Sequence, residues 1–251
     1  MKAIIFNSGL GSRMGKITEN THKAMVKLKN GETIFGRQLR ILSSLGINDF
    51  IITTGPHKEQ IEQQCKEFPE NKYTFVENNE YDKTNYIYSM YLAKEFLAAD
   101  VLLLHGDLVF NKELVAKMLA ETGSKCLINE DKILPEKDFK ARVGDGLLKE
   151  VSVNIFDEDC YAFQPLYKLE KKVLLAWLEK VEEYIKSGND KVYAENALNE
   201  ILAELEIHTM SYSEDYIDEI DTEADLIRVS EEIEEYENAK GEVSYNETTS
   251  F

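Results

Sequence analysis

The chain has 251 residues, 43% of them hydrophobic and 10% aromatic, ample for one packed α/β domain with a small insertion. Its formal net charge of −18 argues against nucleic acid or an anionic membrane as partner. No apolar run approaches 18 residues, the N-terminus lacks a signal-peptide pattern, and Cys65, Cys126 and Cys160 have no metal-ligand spacing, so the expectation is a reduced, cytoplasmic protein without membrane insertion.

Apolar runs and helical patterns alternate from the start. Strands are predicted over 2–6, 50–54, 73–76 and 101–105, and helices over 33–45, 57–66, 86–96 and 112–121. Such alternation implies βαβ units and a mainly parallel sheet sandwiched by helices. The middle reads differently. Strands are predicted over 125–129, 140–143 and 147–155, with Gly144-Asp145-Gly146 as a hairpin turn. Val173, Leu174, Trp177, Leu178, Val181 and Ile185 then repeat at helical spacing and read as core-facing. A helix over 197–206, a strand over 207–212 and a helix carrying Leu226, Val229 and Ile233 complete the pattern. Fourteen acidic and two basic residues follow from Glu214 onward, which reads as a solvated face, and 238–251 reads as a flexible acidic tail. The expected organisation is one domain over 1–237 in two halves, 1–122 and 123–237, the second including the closing helix.

The loop after the first strand carries the strongest chemical signal. Ser8-Gly9-Leu10-Gly11-Ser12-Arg13 follows Ala3-Ile4-Ile5-Phe6, and five basic residues (Arg13, Lys16, Lys23, Lys27, Lys29) accompany a single acid, Glu19, between 13 and 29. A strand, glycines and fixed cations are how α/β proteins hold phosphates. A P-loop is excluded, because position 10 is Leu10 rather than glycine and Ile17 follows Lys16. The dinucleotide fingerprint is excluded because Met14 stands where glycine or alanine is needed.

The spacing Gly-x-Gly-x-Arg, nine residues, Lys resembles the nucleotidyltransferases of the sugar-nucleotide and molybdopterin-guanylyl type. It is most similar to the bacterial phosphocholine cytidylyltransferase group. Gly9-Leu10-Gly11-Ser12-Arg13 and Thr18-Glu19-Asn20-Thr21-His22-Lys23-Ala24 carry the likeness, with His22 in place of the group's usual proline and Asn7-Ser8 in place of two alanines. The resemblance implies a Rossmann-like fold of the nucleotide-diphospho-sugar transferase type with a small β-containing acceptor-binding insertion, residues 1–122 forming the nucleotide-binding half and 123–237 the acceptor-binding half with its closing helix. It also implies transfer of CMP from CTP to a small zwitterionic phosphate- or phosphonate-bearing acceptor, of the phosphocholine, 2-aminoethylphosphonate or phosphoglutamine type, for decoration of a cell-surface polysaccharide.

Such a reaction joins two anions, so charge must be screened and the attack aligned. Arg13 suits the β- and γ-phosphates and Lys23 the α-phosphate. Asn7, Ser8, Gly9, Gly11 and Ser12 complete the nucleotide loop. Val101-Leu102-Leu103-Leu104-His105-Gly106-Asp107 delivers a carboxylate at a strand's carboxyl end, where open α/β sheets place their sites. The resemblance implies that Asp107, with Asp221 of Glu219-Ile220-Asp221-Thr222, binds Mg2+. The alternative for each aspartate is a helix cap. Asn85 and Ser89 suit a pyrimidine edge or ribose, Asn85 also suiting a cap. For the acceptor, Tyr161, Tyr193, Glu195 and Asn196 are candidates, although alanine (Ala194) stands in the group's tryptophan place. No catalytic role falls to His22, His57, His105 or His208. A sugar-1-phosphate nucleotidyltransferase using UTP or dTTP, and a non-catalytic nucleotide-binding protein, remain alternatives. Oligomeric state is not legible.

Overall fold

Apolar residues on both faces of each early strand require a helical layer on either side. The computed structural model, which describes residues 1–248, has that arrangement. The first half runs β1 (Lys2–Asn7), α1 (Ile34–Ser44), β2 (Asp49–Thr54), α2 (Lys58–Cys65), β3 (Lys72–Glu77), α3 (Tyr86–Ala93), β4 (Val101–His105), β5 (Leu108–Phe110) and α4 (Lys112–Ala120). The second runs β6 (Ser124–Asn129), β7 (Lys140–Gly144), β8 (Leu147–Ser152), β9 (Cys160–Leu169), α5 (Lys171–Lys186), α6 (Ala194–Asn199), β10 (Ile207–Ser211), β11 (Ile217–Glu219) and α7 (Glu223–Thr248).

Nine strands form one sheet in the order β3-β2-β1-β4-β9-β6-β10-β8-β7, and β7 also pairs with β9, so the far end curls back on itself. β1 to β4 pair in parallel, as expected. The second half departs from that pattern: β9 runs antiparallel to β4 and β6, and β7 runs antiparallel to β8 and β9. The whole sheet is therefore mixed. Alternation assigns each side chain to a layer. Ala3, Ile5, Leu102 and Leu104 pack with α1, α2 and α4 on one face. Ile4, Phe6, Val101 and Leu103 pack with α3, α5 and α6 on the other. Trp177 is fully buried there, its indole N–H donating to the Ala194 carbonyl at 2.9 Å.

The central strand β9 is absent from the sequence-based expectation. Pro165 lies within it, and proline cannot donate to a ladder. The β6 pairing skips this point: Cys126 faces Tyr167 while Leu127 faces Gln164. A bulge thus absorbs the missing N–H. The β7–β8 turn behaves as its composition requires, with Asp145 (φ 55°) and Gly146 (φ 72°) both left-handed. The predicted helix over 197–206 is instead α6 followed by a short 3-10 turn, Leu202–Glu204. β5 and β11 form a separate two-stranded ribbon. From residue 238, where a flexible tail was expected, the backbone continues α7 as far as Thr248, and 249–251 lie outside the described residues. Val229 and Ile233 of α7 pack with Val109, Ile220, Val26 and Ile34, locking the end of the chain onto its first forty residues.

Candidate active site

A cleft of about 310 Å³ opens at the carboxyl ends of β1 and β4. Asn7, Ser8, Gly9, Gly11, Ser12, Arg13, Lys23, Asn85, Asp107, Tyr193 and Asp221 all line it. The parallel sheet explains the place: adjacent carboxyl ends diverge into loops and leave a crevice.

Three chain segments meet at Lys23. Its ammonium lies 2.7 Å from Asp107 Oδ2 and 2.5 Å from Asp221 Oδ1, and Arg13 Nη1 lies 2.6 Å from Asp221 Oδ2. Burial alone would pull the Lys23 pKa down, but the two aspartates outweigh it and hold the ammonium above its usual range. Burial likewise pushes Asp107 up, while Lys23 and His105 prevail and hold it below the usual carboxylate value. Neither aspartate caps a helix. Asn111 precedes α4, and α7 starts on a reciprocal pair in which the Asp225 N–H donates to Thr222 Oγ1 (3.2 Å) and the Thr222 N–H to Asp225 Oδ2 (2.9 Å). The carboxylates are thereby left free to face the cleft.

Two glycines make the approach feasible. Gly11 has φ 64°, and a Cβ there would stand 2.9 Å from the Lys23 Cβ. A Cβ on Gly106 would stand 1.6 Å from Asn7 Oδ1, so only glycine lets β4 pass the Asn7 side chain on its way to Asp107.

Four sequence candidates fall outside the cleft. Ser89 is fully buried, bonded to Ser8 Oγ at 2.7 Å and accepting from Asn78 Nδ2 at 3.0 Å, so it supports Ser8 from behind. Glu195 is 1% exposed and accepts hydrogen bonds from the Tyr86 and Tyr167 hydroxyls. The first turn of α6 aims it inward, and burial raises its pKa. Tyr161 packs against the core, and Asn196 lies on the exposed side of α6. Asn85 caps α3, its side chain accepting from the Tyr86 N–H at 2.7 Å, and it also lines the cleft.

Other lining residues were not singled out. Lys137, Asp138 and Phe139 come from the loop before β7, where sequence carries no periodic signal, and Val153 directly follows β8, within the strand predicted over 147–155. Glu219, the last residue of β11, stands in the same sequence segment as Asp221 but was given no role there. Among the described residues its Oε1 is buried without a partner, and burial followed by the charges of Asp107 and Asp221 lifts its pKa well above the carboxylate range.

The fold and this cleft are those of a nucleotidyltransferase. The chain belongs to the MobA-like NTP transferase domain family, whose model matches residues 3–195. It is 29% identical over 265 residues to the choline-phosphate cytidylyltransferase of Streptococcus pneumoniae, covering 95% of this chain and all of that one. It is 25% identical to the 2-aminoethylphosphonate cytidylyltransferase of Lancefieldella rimae, covering 89% of each. A solved structure of the CTP:phosphocholine cytidylyltransferase from Streptococcus pneumoniae superposes with a TM-score of 0.76 at 26% identity, covering 92% of this chain and 98% of that one.

Proposed function

We propose that the protein transfers CMP from CTP to a small zwitterionic acceptor bearing a phosphate or phosphonate. The observation that carries this reading is the convergence of Lys23, Asp107, Asp221 and Arg13 on one point of the cleft. An acceptor oxygen attacks the α-phosphorus, the new P–O bond forms as the bond to the β-phosphate oxygen breaks, and pyrophosphate leaves. Lys23 neutralises charge growing on the α-phosphate. Arg13, two-thirds exposed at the rim, binds the terminal phosphates with its forked donors.

The lining set argues for a divalent ion. Arg13, Lys23 and Lys137 face the carboxylates of Asp107, Asp138 and Asp221 beside the Glu219 carboxyl, which leaves no surplus of positive charge to hold a triphosphate. Asp107 and Asp221 fit an oxygen-seeking cation such as Mg2+: both reach the point now held by the Lys23 ammonium, and Asp107 Oδ1 is buried with no partner among the described residues. Bound there, the ion would screen the phosphates and polarise the reacting phosphorus–oxygen bonds.

The acceptor's cationic end has a matching surface. Tyr193 stands edge-on to Phe139 at 4.9 Å, and Asp138 and Glu219 line the same cleft. Aromatic faces beside carboxyl groups suit an ammonium, whether amine or trimethylated. The test is a pyrophosphate-release screen of CTP, UTP, dTTP and ATP against phosphocholine, 2-aminoethylphosphonate and glucose 1-phosphate. Release with CTP and a zwitterion is expected. UTP or dTTP with glucose 1-phosphate would establish the sugar-nucleotide reaction instead, and no release with any pair would refute the reading.

A further inference from the structure

We propose that His22 is a positioning residue, a neutral imidazole that clamps the Lys23 backbone to the end of β1 and so sets where the Lys23 ammonium stands. The inference rests on the functional reading above. His22 is 4% exposed. Its Nε2 lies 2.8 Å from the Asn7 carbonyl oxygen, and its Nδ1 lies 3.1 Å from the Ala24 backbone nitrogen. A carbonyl can only accept and a peptide N–H can only donate. Both contacts hold together in one form alone, with the proton on Nε2 and Nδ1 bare. The other tautomer would lose both bonds, and an imidazolium would set two protons against each other at Ala24.

The clamp has a second strut. The His22 backbone N–H donates to Gln60 Oε1 at 2.8 Å, and Gln60 Nε2 donates to the Asn20 carbonyl at 2.9 Å, tying the same loop to α2. Lys23 begins a single 3-10 turn that His22 caps. A turn of three residues has no stability of its own, so the position of its lysine depends on what holds its ends. The groups facing the imidazole are Lys23 on its own loop, His57 before α2 and Asp107 after β4. Burial, with Lys23 and His57 adding to it, keeps the ring neutral down to about pH 4 against the bond to Asn7 and the Asp107 charge.

The test joins a spectrum to kinetics. Nitrogen NMR of the whole protein labelled at histidine should place the His22 proton on Nε2, unchanged from pH 8 to 5.5. A proton on Nδ1, or titration with an ordinary histidine midpoint, would overturn the proposal. His22→Ala should lower kcat roughly tenfold, since misplacing one catalytic group has effects of this order. It should leave the KM for CTP within about twofold. His22→Gln, whose amide can reach the Asn7 carbonyl, should recover most of kcat, whereas His22→Asn, which can cap Ala24 alone, should not. Unchanged turnover in folded His22→Ala, or losses that follow thermal stability with no rescue by Gln, would overturn the clamp. If His22→Ala does not fold, the Gln and Asn pair decides. The spectrum needs no substrate, so wild-type protein inactive with every acceptor would refute the functional reading and leave the clamp to be judged on the tautomer.

Discussion

At the scale of single residues, Lys23 and Arg13 differ in burial and so in expected effect. The Lys23 side chain is 12% exposed and ion-paired on two sides, while the Arg13 side chain is 66% exposed with one partner. A buried cation at the reacting phosphate acts on charge that develops in the transition state. Lys23→Ala should therefore depress kcat by at least a hundredfold with little change in nucleotide affinity, an estimate typical of lost electrostatic stabilisation. Arg13→Ala should mainly weaken triphosphate binding. Single-turnover rates and equilibrium CTP binding separate the two, and the reverse division would contradict these roles. Glu195→Gln should leave the acceptor KM unchanged, because the carboxyl sits behind Tyr86, and Tyr193→Ala should raise it. Steady-state kinetics with the acceptor found by the screen checks both. His22 also makes a pH prediction. Its folded pKa is lowered to about 4 from 6.5, so below pH 6.5 the unfolded chain binds a proton that the native state refuses. Native stability should fall as pH falls through that window, by about 1.4 kcal/mol per unit for this one group. Urea titrations of wild type and His22→Gln between pH 7 and 4.5 should show a shallower acid slope in the variant.

At the scale of elements, α7 carries the consequence of one buried charge. Arg37 of α1 is 1% exposed, donates to the Phe110 carbonyl from Nε (3.1 Å) and Nη2 (2.9 Å), and meets Glu237 Oε1 at 2.6 Å. It therefore joins α1, β5 and α7, and α7 begins two residues after Asp221. Arg37→Ala should cost about 3 kcal/mol of unfolding free energy, since it empties a buried site and strands a carbonyl. Glu237→Ala should cost less than about 1 kcal/mol, because that side chain is 47% exposed. Chemical denaturation measures both; equal losses would mean the guanidinium acts through the ion pair rather than through Phe110. The strand β9 teaches the converse about local signals. Pro165 argues against a central strand, yet the bulge opposite Cys126 and Leu127 accommodates it.

At the scale of the whole molecule, the site exists only because the chain's two ends meet. Lys23 lies near the start, Asp107 in the middle and Asp221 near the end, and α7 packs its apolar face on the first forty residues. Asp107→Asn should cut turnover by roughly a thousandfold, the effect of several kcal/mol at the transition state, while the protein stays folded. Chelation should abolish turnover of the wild type and added Mg2+ should restore it. Substantial activity in the presence of chelator, or in folded Asp107→Asn, would remove the metal from the mechanism.

Much of this was legible in one dimension because the relevant physics is local. The glycine loop, Arg13 and Lys23 stand within sixteen residues, and the unbroken apolar run Val101–Leu104 marks a buried strand whose carboxyl end delivers Asp107. The paired helical layers follow from the same periodicity. Folding in three dimensions decided the remainder. It turned Glu195 inward, since the direction of a side chain at a helix's first turn depends on what that turn packs against. It brought Asp138, Phe139 and Glu219 to the cleft through a loop and a two-stranded ribbon that no repeat announces. It also decided the protonation of His22, because a tautomer is set by the partners at both nitrogens, and the carbonyl of Asn7 is fifteen residues away.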